Sequence, residues 1–321
     1  MQSNIGFTLH RGYIANIEMD PKEIKREANQ LWEGYFHDVM RKCQYEKNFG
    51  KFIRQQEARA EKEAIAYLQP WLQILEESIQ WLANLAGILD RLVDENCTSN
   101  SLRIAMVLVG ASCAHAVALR RLVLSGLDSS ARAILRSLDE HLMACIVLLH
   151  DRDLANAFQR AQDIQDASEF WYRNLKTKAL NKRLNKIERE LDLAAETSQE
   201  IREWREEEIK TYSQDIHPSY VAAALAMKTI CASKPNEHGI SILGRASAAS
   251  ERTLNYACKT IWYFSRLGFL FLFNEYNELP PYIELVKEDE MHQMVVIGSD
   301  VINELNKKYW EFSIYNKGET I

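Results

Sequence analysis

Arg132, Arg136, Asp139, Glu140 and His141 fall within one stretch, Leu127 to His150 (LDSSARAILRSLDEHLMACIVLLH), that is otherwise apolar enough to build core. Arginine's planar fork holds phosphate or carboxylate oxygens, a carboxylate orients a guanidinium or an imidazole, and histidine exchanges a proton near neutrality. A second polar concentration, Tyr212 to Tyr220 (YSQDIHPSY), sets His217 at a junction with Ser213, Asp215, Ser219 and Tyr220. A helix must stop there, because the residue before Pro218 is pushed out of the helical region. Arg136, Glu140 and His217 brought into one pocket would suit metal-free cleavage of RNA. The histidine would act as base, the arginine would meet the developing charge, and the substrate's own 2'-hydroxyl would be the nucleophile. The same residues equally suit a polar network that fixes helix register.

The elements that must position these groups are helices. At about 3.6 residues per turn, Ile134, Leu138, Leu142, Cys145, Ile146 and Leu149 share one stripe, while Arg132, Arg136, Asp139, Glu140 and Met143 share another face. Asp128 and Ser129 are the expected caps. Arg136 and Glu140 stand four apart and can pair, which on an open helix face is worth about 0.5 kcal/mol. The preceding stretch, Ser101 to Leu124, is apolar nearly all round until Arg120 and Arg121, and such a pattern predicts a buried helix. Laid antiparallel across a turn at Gly126, it would leave the charged face of the central helix toward a cleft.

Composition removes whole classes. With 321 residues, 47% of them hydrophobic and 10% aromatic, the chain has ample material for a packed core. A net charge of -6 argues against coating nucleic acid through overall charge, although a local basic patch is compatible with it. Six scattered cysteines without a CxxC pair read as small core residues, and with no basic n-region leading an apolar run at the start, a reducing cytoplasm fits. Ile104 to Leu119 and Ile261 to Phe273 both fall short of the roughly 20 apolar residues of a membrane span, so no membrane is expected. No phosphate loop, GxGxxG, HExxH or GxSxG occurs, and Glu140-His141 and Glu237-His238 are adjacent where a di-metal bundle needs Glu-x-x-His. No dinucleotide or other cofactor and no metal are expected.

Trp71 to His217 contains no proline and has glycine only at 87, 110 and 126, the pattern of a multi-helix bundle. The expected fold is therefore all-α, with eight to ten helices: an N-terminal helical extension over 1–98 and a main bundle over 99–321. Within the bundle, the motifs occupy 101–227 and C-terminal helices 245–313. The expected helices run from Pro21 to about Lys47, Phe52 to Leu68, Pro70 to Val93, Ser101 to Leu124, Leu127 to His150, Arg152 to about Lys176, Arg245 to Tyr276, and Ile283 to Trp310 with a break near Gly298. The aromatic helix from Arg245 would complete the core or form a dimer face. Between Arg173 and Arg189 seven residues are basic and Glu188 is the sole acid, whereas Glu190 to Glu208 holds eight acids against Arg202 and Arg205. The basic block could be a nucleic-acid footprint; alternatively, the two blocks fold as a hairpin near Thr197-Ser198 and compensate each other.

Arg136-Ser-Leu-Asp-Glu-His141 has R-x4-H spacing and resembles the motif of the HEPN superfamily, all-helical domains many of which are metal-independent endoribonucleases acting as dimers. In that family the arginine and histidine are catalytic. Here Ser137 stands where the family usually has Asn, Asp or His, and five helical residues turn Arg136 and His141 about 140° apart. The order of ARAILRSLDEHLMA and YSQDIHPSY is also similar to an uncharacterised bacterial helical family, in which an Arg-x-x-x-Glu helix precedes a Ser-x-x-x-His-Pro junction. That likeness spans Ser101 to Met227 and rests on Arg132, Arg136, Glu140, Ser213, His217 and Pro218.

Together the resemblances imply a HEPN-like core, RNA as a partner and a homodimer. The implied function is RNA-directed: a metal-independent endoribonuclease of toxin or phage-defence type. Arg136, Glu140, His217 and His141 would be catalytic, with Arg132, Arg120, Arg121, Ser213, Tyr220, Lys182, Arg183 and Lys186 on the RNA or another anion. The competing expectation is a non-catalytic interaction or ligand-sensing protein, whose Arg/Glu/His network is structural or binds a small anion.

Overall fold

The absence of proline between Trp71 and His217 is matched by long helices. In a computed structural model, which describes residues 49–94, 99–192, 199–207, 246, 248–274 and 280–312 together with 26 and 30, every regular element among the described residues is helical. The chain divides into two compact units, Met1–Phe52 and Ile53–Ile321. The described elements lie in the second, apart from the first turn of one helix.

Its helices are α1 (Phe49–Tyr67), α2 (Trp71–Asp94), α3 (Asn100–Leu124), α4 (Asp128–His150), α5 (Arg152–Arg160), α6 (Ile164–Phe170), α7 (Thr177–Glu190), α8 (Ala248–Phe273) and α9 (Glu290–Tyr309). A π-helical turn, Trp171–Leu175, follows α6, and 199–207 is helical. The expected helix from Pro21 to Lys47 lies outside the described residues.

Local chemistry accounts for most boundaries. The Ser99 side chain accepts from the Leu102 amide, Asp151 from Leu154, Asp163 from Asp166, and Asp289 from Met291 and His292. Asp163 also explains a difference: the single helix expected over 152–176 is three short pieces, because the chain stops at Ala161 and restarts behind a new cap. The α4 cap differs too. Leu127 occupies it without a side-chain bond, and Asp128 is buried in the first turn. Ile283 to Asp289 is irregular instead of helical, and α9 runs unbroken through Gly298.

One core joins α2, α3, α4 and α8, with Trp71, Trp81, Leu85, Leu135, Leu142 and Phe264 essentially sealed from solvent. The aromatic helix α8 thus serves the core: Tyr256, Ile261 and Phe264 are buried, and the Trp81 and Phe264 rings meet edge to face at 5.9 Å. Across α2 and α9, Trp81 Nε1 donates to the Val295 carbonyl at 2.9 Å and Arg91 pairs with Asp289 at 2.8 Å. A methyl group on Gly298 would meet Trp81 Cδ1 at 3.0 Å, whereas on Gly87 it would meet the flexible end of Met291 at 3.2 Å. Gly298→Ala is therefore expected to cost about 1–3 kcal/mol through overpacking and Gly87→Ala far less, which urea denaturation of the two variants will separate.

The all-round apolar pattern of α3 does not give all-round burial. Leu102, Ala105, Val109, Ala116, Leu119 and Val123 are buried, but Val107 is 60% and Val117 43% exposed. By length and composition alone α3 could cross a membrane, as the core helix of a bundle also could; in this fold it packs along α2 and α4.

Candidate functional site

Helix α4 sends its polar residues in three directions. Inward, Asp139 is 6% exposed and accepts from Tyr256 Oη at 3.0 Å and Thr260 Oγ1 at 3.3 Å, both on α8. Burial raises its carboxyl to about 6, against the opposing pull of the two hydroxyls and of Arg205. Arg132 is also buried, its Nε donating to the Asp128 carbonyl at 3.4 Å. The charged face expected to look into a cleft is thus partly closed over by α8.

Outward, Arg136 Nε donates to Glu140 Oε1 at 2.8 Å, with about a third of each side chain in solvent. Sideways, His141 leaves that pair and faces α3, where its ring stacks on His115 with centroids 5.1 Å apart and planes 9° from parallel. Its Nδ1 is buried without a hydrogen bond. Burial and the neighbouring His115 push His141 toward the neutral form, while Glu140 pulls the other way. Arg136 and His141 therefore diverge on one helix, as their spacing predicts. A neutral imidazole can accept a proton, and a half-exposed arginine can hold an anion if Glu140 yields it.

The candidate cations are mostly engaged. Arg120 is bound to Glu76 through Nε at 2.7 Å and Nη2 at 2.6 Å. Arg183 reaches Asp151 at 3.4 Å and Asn174 at 3.0 Å, and Lys186 pairs with Glu190 at 3.3 Å. Lys182 and Arg121 are exposed. Arg183 and Lys186 border a surface cavity of about 280 Å³ with His150, Arg152, Asp151 and Asp153, where cations and carboxylates alternate. Ser213, His217 and Tyr220 lie outside the described residues. Among the described residues no three His, Cys, Asp or Glu side chains cluster as metal ligands.

A second buried group was not singled out from the sequence. Glu188, 1% exposed, accepts from Arg205 Nη2 at 2.9 Å and from Tyr263 Oη at 2.6 Å, and the Arg205 guanidinium lies 5.0 Å from the Tyr263 ring centre. Asn185 Oδ1 takes a further Arg205 bond at 3.3 Å. Burial opposes the charge on Arg205, and Tyr263 and Glu188 restore it; burial likewise raises the Tyr263 phenol, which stays a donor. The signal was present in the charge blocks. Glu188 is the lone acid of the basic block and Arg205 one of two arginines in the acidic one, so the buried pair joins a minority charge from each block, while Arg202 and the majority charges among the described residues stay at the surface. His115 left no comparable signal: a hairpin about Gly126 brings it to the same part of α4, and only the fold shows it stacked on His141.

Residues 102–231 match a family of unknown function, DUF5677. The match is less than half of the chain and nearly coincides with Ser101 to Met227, where the likeness to an uncharacterised family was expected. It takes in α4, α7 and the His217 junction; the HEPN superfamily is not among the matches. No curated protein and no solved structure matches the chain.

Proposed function

We propose that this all-α protein is a non-catalytic interaction module, in which the Arg/Glu/His residues of α4 hold helices in register and do not process a substrate. One observation carries this reading: Arg136, Arg120, Arg183 and Lys186 each already face a carboxylate. A polyanion footprint needs cations whose charge is not already spent on neighbouring acids, since affinity comes from phosphates neutralised and counterions released. Exposed pairs of this kind each contribute about 0–1 kcal/mol, and within each pair the arginine or lysine charge is offset by its carboxylate.

RNA cleavage without a metal is the second reading, favoured by His141. Its imidazole is pushed toward the neutral, proton-accepting form, has an unbonded Nδ1, and follows Glu140 directly, five residues after Arg136. In this reading Arg136 would hold a phosphate oxygen, His141 or His217 would take the 2'-hydroxyl proton, and no cofactor would take part.

Incubation of the full chain with total tRNA and a structured RNA, with and without EDTA, separates the two. The interaction reading expects intact RNA at about 10 µM protein. Cleavage that survives EDTA and disappears in folded Arg136→Ala and His141→Ala variants would replace it with the ribonuclease.

A further inference from the structure

Two helices that pack on α2 each keep an apolar stripe in solvent. On α3, Val107, Gly110, Ala114, Val117 and Arg121 follow one another at intervals of three, four, three and four, with Val107 60% and Val117 43% exposed and open space above Gly110. On α9, Met294, Ile297 and Val301 are 38%, 60% and 40% exposed and border a groove with Gln80, Glu77 and Asn84 of α2. Helix α2 lies between the two and packs on both. The α3 stripe is low at Gly110 and Ala114, between Val107 and Val117; the α9 stripe is high at Met294 and Ile297.

We propose that this α3–α2–α9 face binds a second copy of the chain about a two-fold axis along α2. Contacts between the helices set the register. Arg120, near the end of α3, sits at Glu76, near the start of α2, while α3 begins at Asn100, shortly after α2 ends at Asp94; Asp289 and Gly298 of α9 sit at Arg91 and Trp81 of α2, so α3 and α9 both run antiparallel to α2 and at known heights. Moving five residues up α2 brings α3 to about residue 115, level with Gly298. A two-fold along α2 reverses left and right but not height, and so lays α3 of each copy on α9 of the other, parallel and level. Ala114 then faces Ile297, Val117 faces Asp300 and Val301, and Arg121 faces Glu304. Large side chains enter the low seam, as close helix packing requires, and the exposed Arg121 meets acids.

Charge and area agree. Helix α3 carries Arg103, Arg120 and Arg121 and no acid, with Arg120 held by Glu76, whereas Glu290, Asp300 and Glu304 lie exposed along α9 ahead of Lys307 and Lys308; Glu304 pairs with Lys307 at 3.0 Å in solvent and would exchange that partner for Arg121. Gln73 and Gln80, exposed on α2, would meet their own copies at the axis, where an amide can donate and accept. Three helices about 10 Å apart and about 30 Å long span about 900 Å², against roughly 800 Å² per partner in a standard interface. A symmetric contact of this kind closes on itself, so it predicts a dimer and no higher polymer. It does not depend on whether the protein cleaves RNA.

Sedimentation velocity of the full chain from about 1 to 100 µM tests it, with circular dichroism and the melting temperature read on every variant. Wild type should dimerise in that range. Ile297→Glu, Arg121→Glu and Glu304→Arg should each raise Kd at least about tenfold, and Arg121→Glu combined with Glu304→Arg should return to within about threefold of wild type. A wild type that stays monomeric at about 100 µM, whatever else the face binds, overturns the proposal. So does a dimer indifferent to Ile297→Glu, or a charge-swapped double variant no tighter than its single parents.

Discussion

Glu188→Ala is expected to cost about 3–5 kcal/mol of folding stability, a large part of the roughly 5–15 kcal/mol that holds a domain together. The change leaves the Arg205 guanidinium, 2% exposed, without its carboxylate, and removes the acceptor of the Tyr263 hydroxyl. Desolvating an arginine is tolerable only while Glu188 and Tyr263 answer its charge. Arg205 has no reserve, because its Nε and Nη1 are already buried without partners. Glu188→Gln, which keeps shape and an acceptor for Tyr263, should cost less than alanine. Glu188→Leu with Arg205→Met should recover most of the loss, since an apolar pair of similar volume requires no desolvated charge. Urea denaturation of the four proteins is the check; an alanine variant within about 1 kcal/mol of wild type would show that the charge is compensated elsewhere.

How this pair arises also shows what was legible in the chain. Opposed charge blocks announce a helical hairpin by simple attraction, and that suggests contacts between Lys or Arg of the first block and Glu of the second. Packing selects otherwise. A long block of one charge cannot be buried, so the majority charges among the described residues stay in water, and of the exceptions Glu188 and Arg205 go to the interior while Arg202 stays exposed. Periodicity located α2, α3 and α4 closely, because proline-free runs with one apolar stripe admit few alternatives. It misjudged α3, where a small, apolar outer face reads like core unless the partner helices are known. It also joined α5 to α6, since Asp163 resembles any other acid until its side chain is seen capping. For the site, spacing alone fixed the divergence of Arg136 and His141, whereas the tie between Asp139 and α8 joins residues more than a hundred positions apart and leaves no local signature.

That tie supplies the second large effect, a dependence of stability on pH. The Asp139 carboxyl sits at about 6 in the fold, raised chiefly by burial, and near 3.9 in the unfolded chain. Between these values the folded protein holds a proton that the unfolded chain has released. The stability this contributes is fully present below about pH 4 and is lost as pH rises through about 6, a total of about 3 kcal/mol. Asp139→Asn keeps an oxygen that can accept from Tyr256 and Thr260 but cannot ionise, so this contribution to the slope disappears. Groups that titrate in both proteins, including Glu190 and Asp289, whose carboxyls are held low, and His115 and His141, cancel to first order in the comparison. The expected result is that the variant gains on wild type by about 2 kcal/mol between pH 4 and pH 7, nearly all of it below about pH 6.5, whatever their difference at pH 4. Urea midpoints measured at half-unit steps suffice. Parallel profiles would mean that Asp139 is ionised throughout, and that Arg205 and the two hydroxyls outweigh its burial.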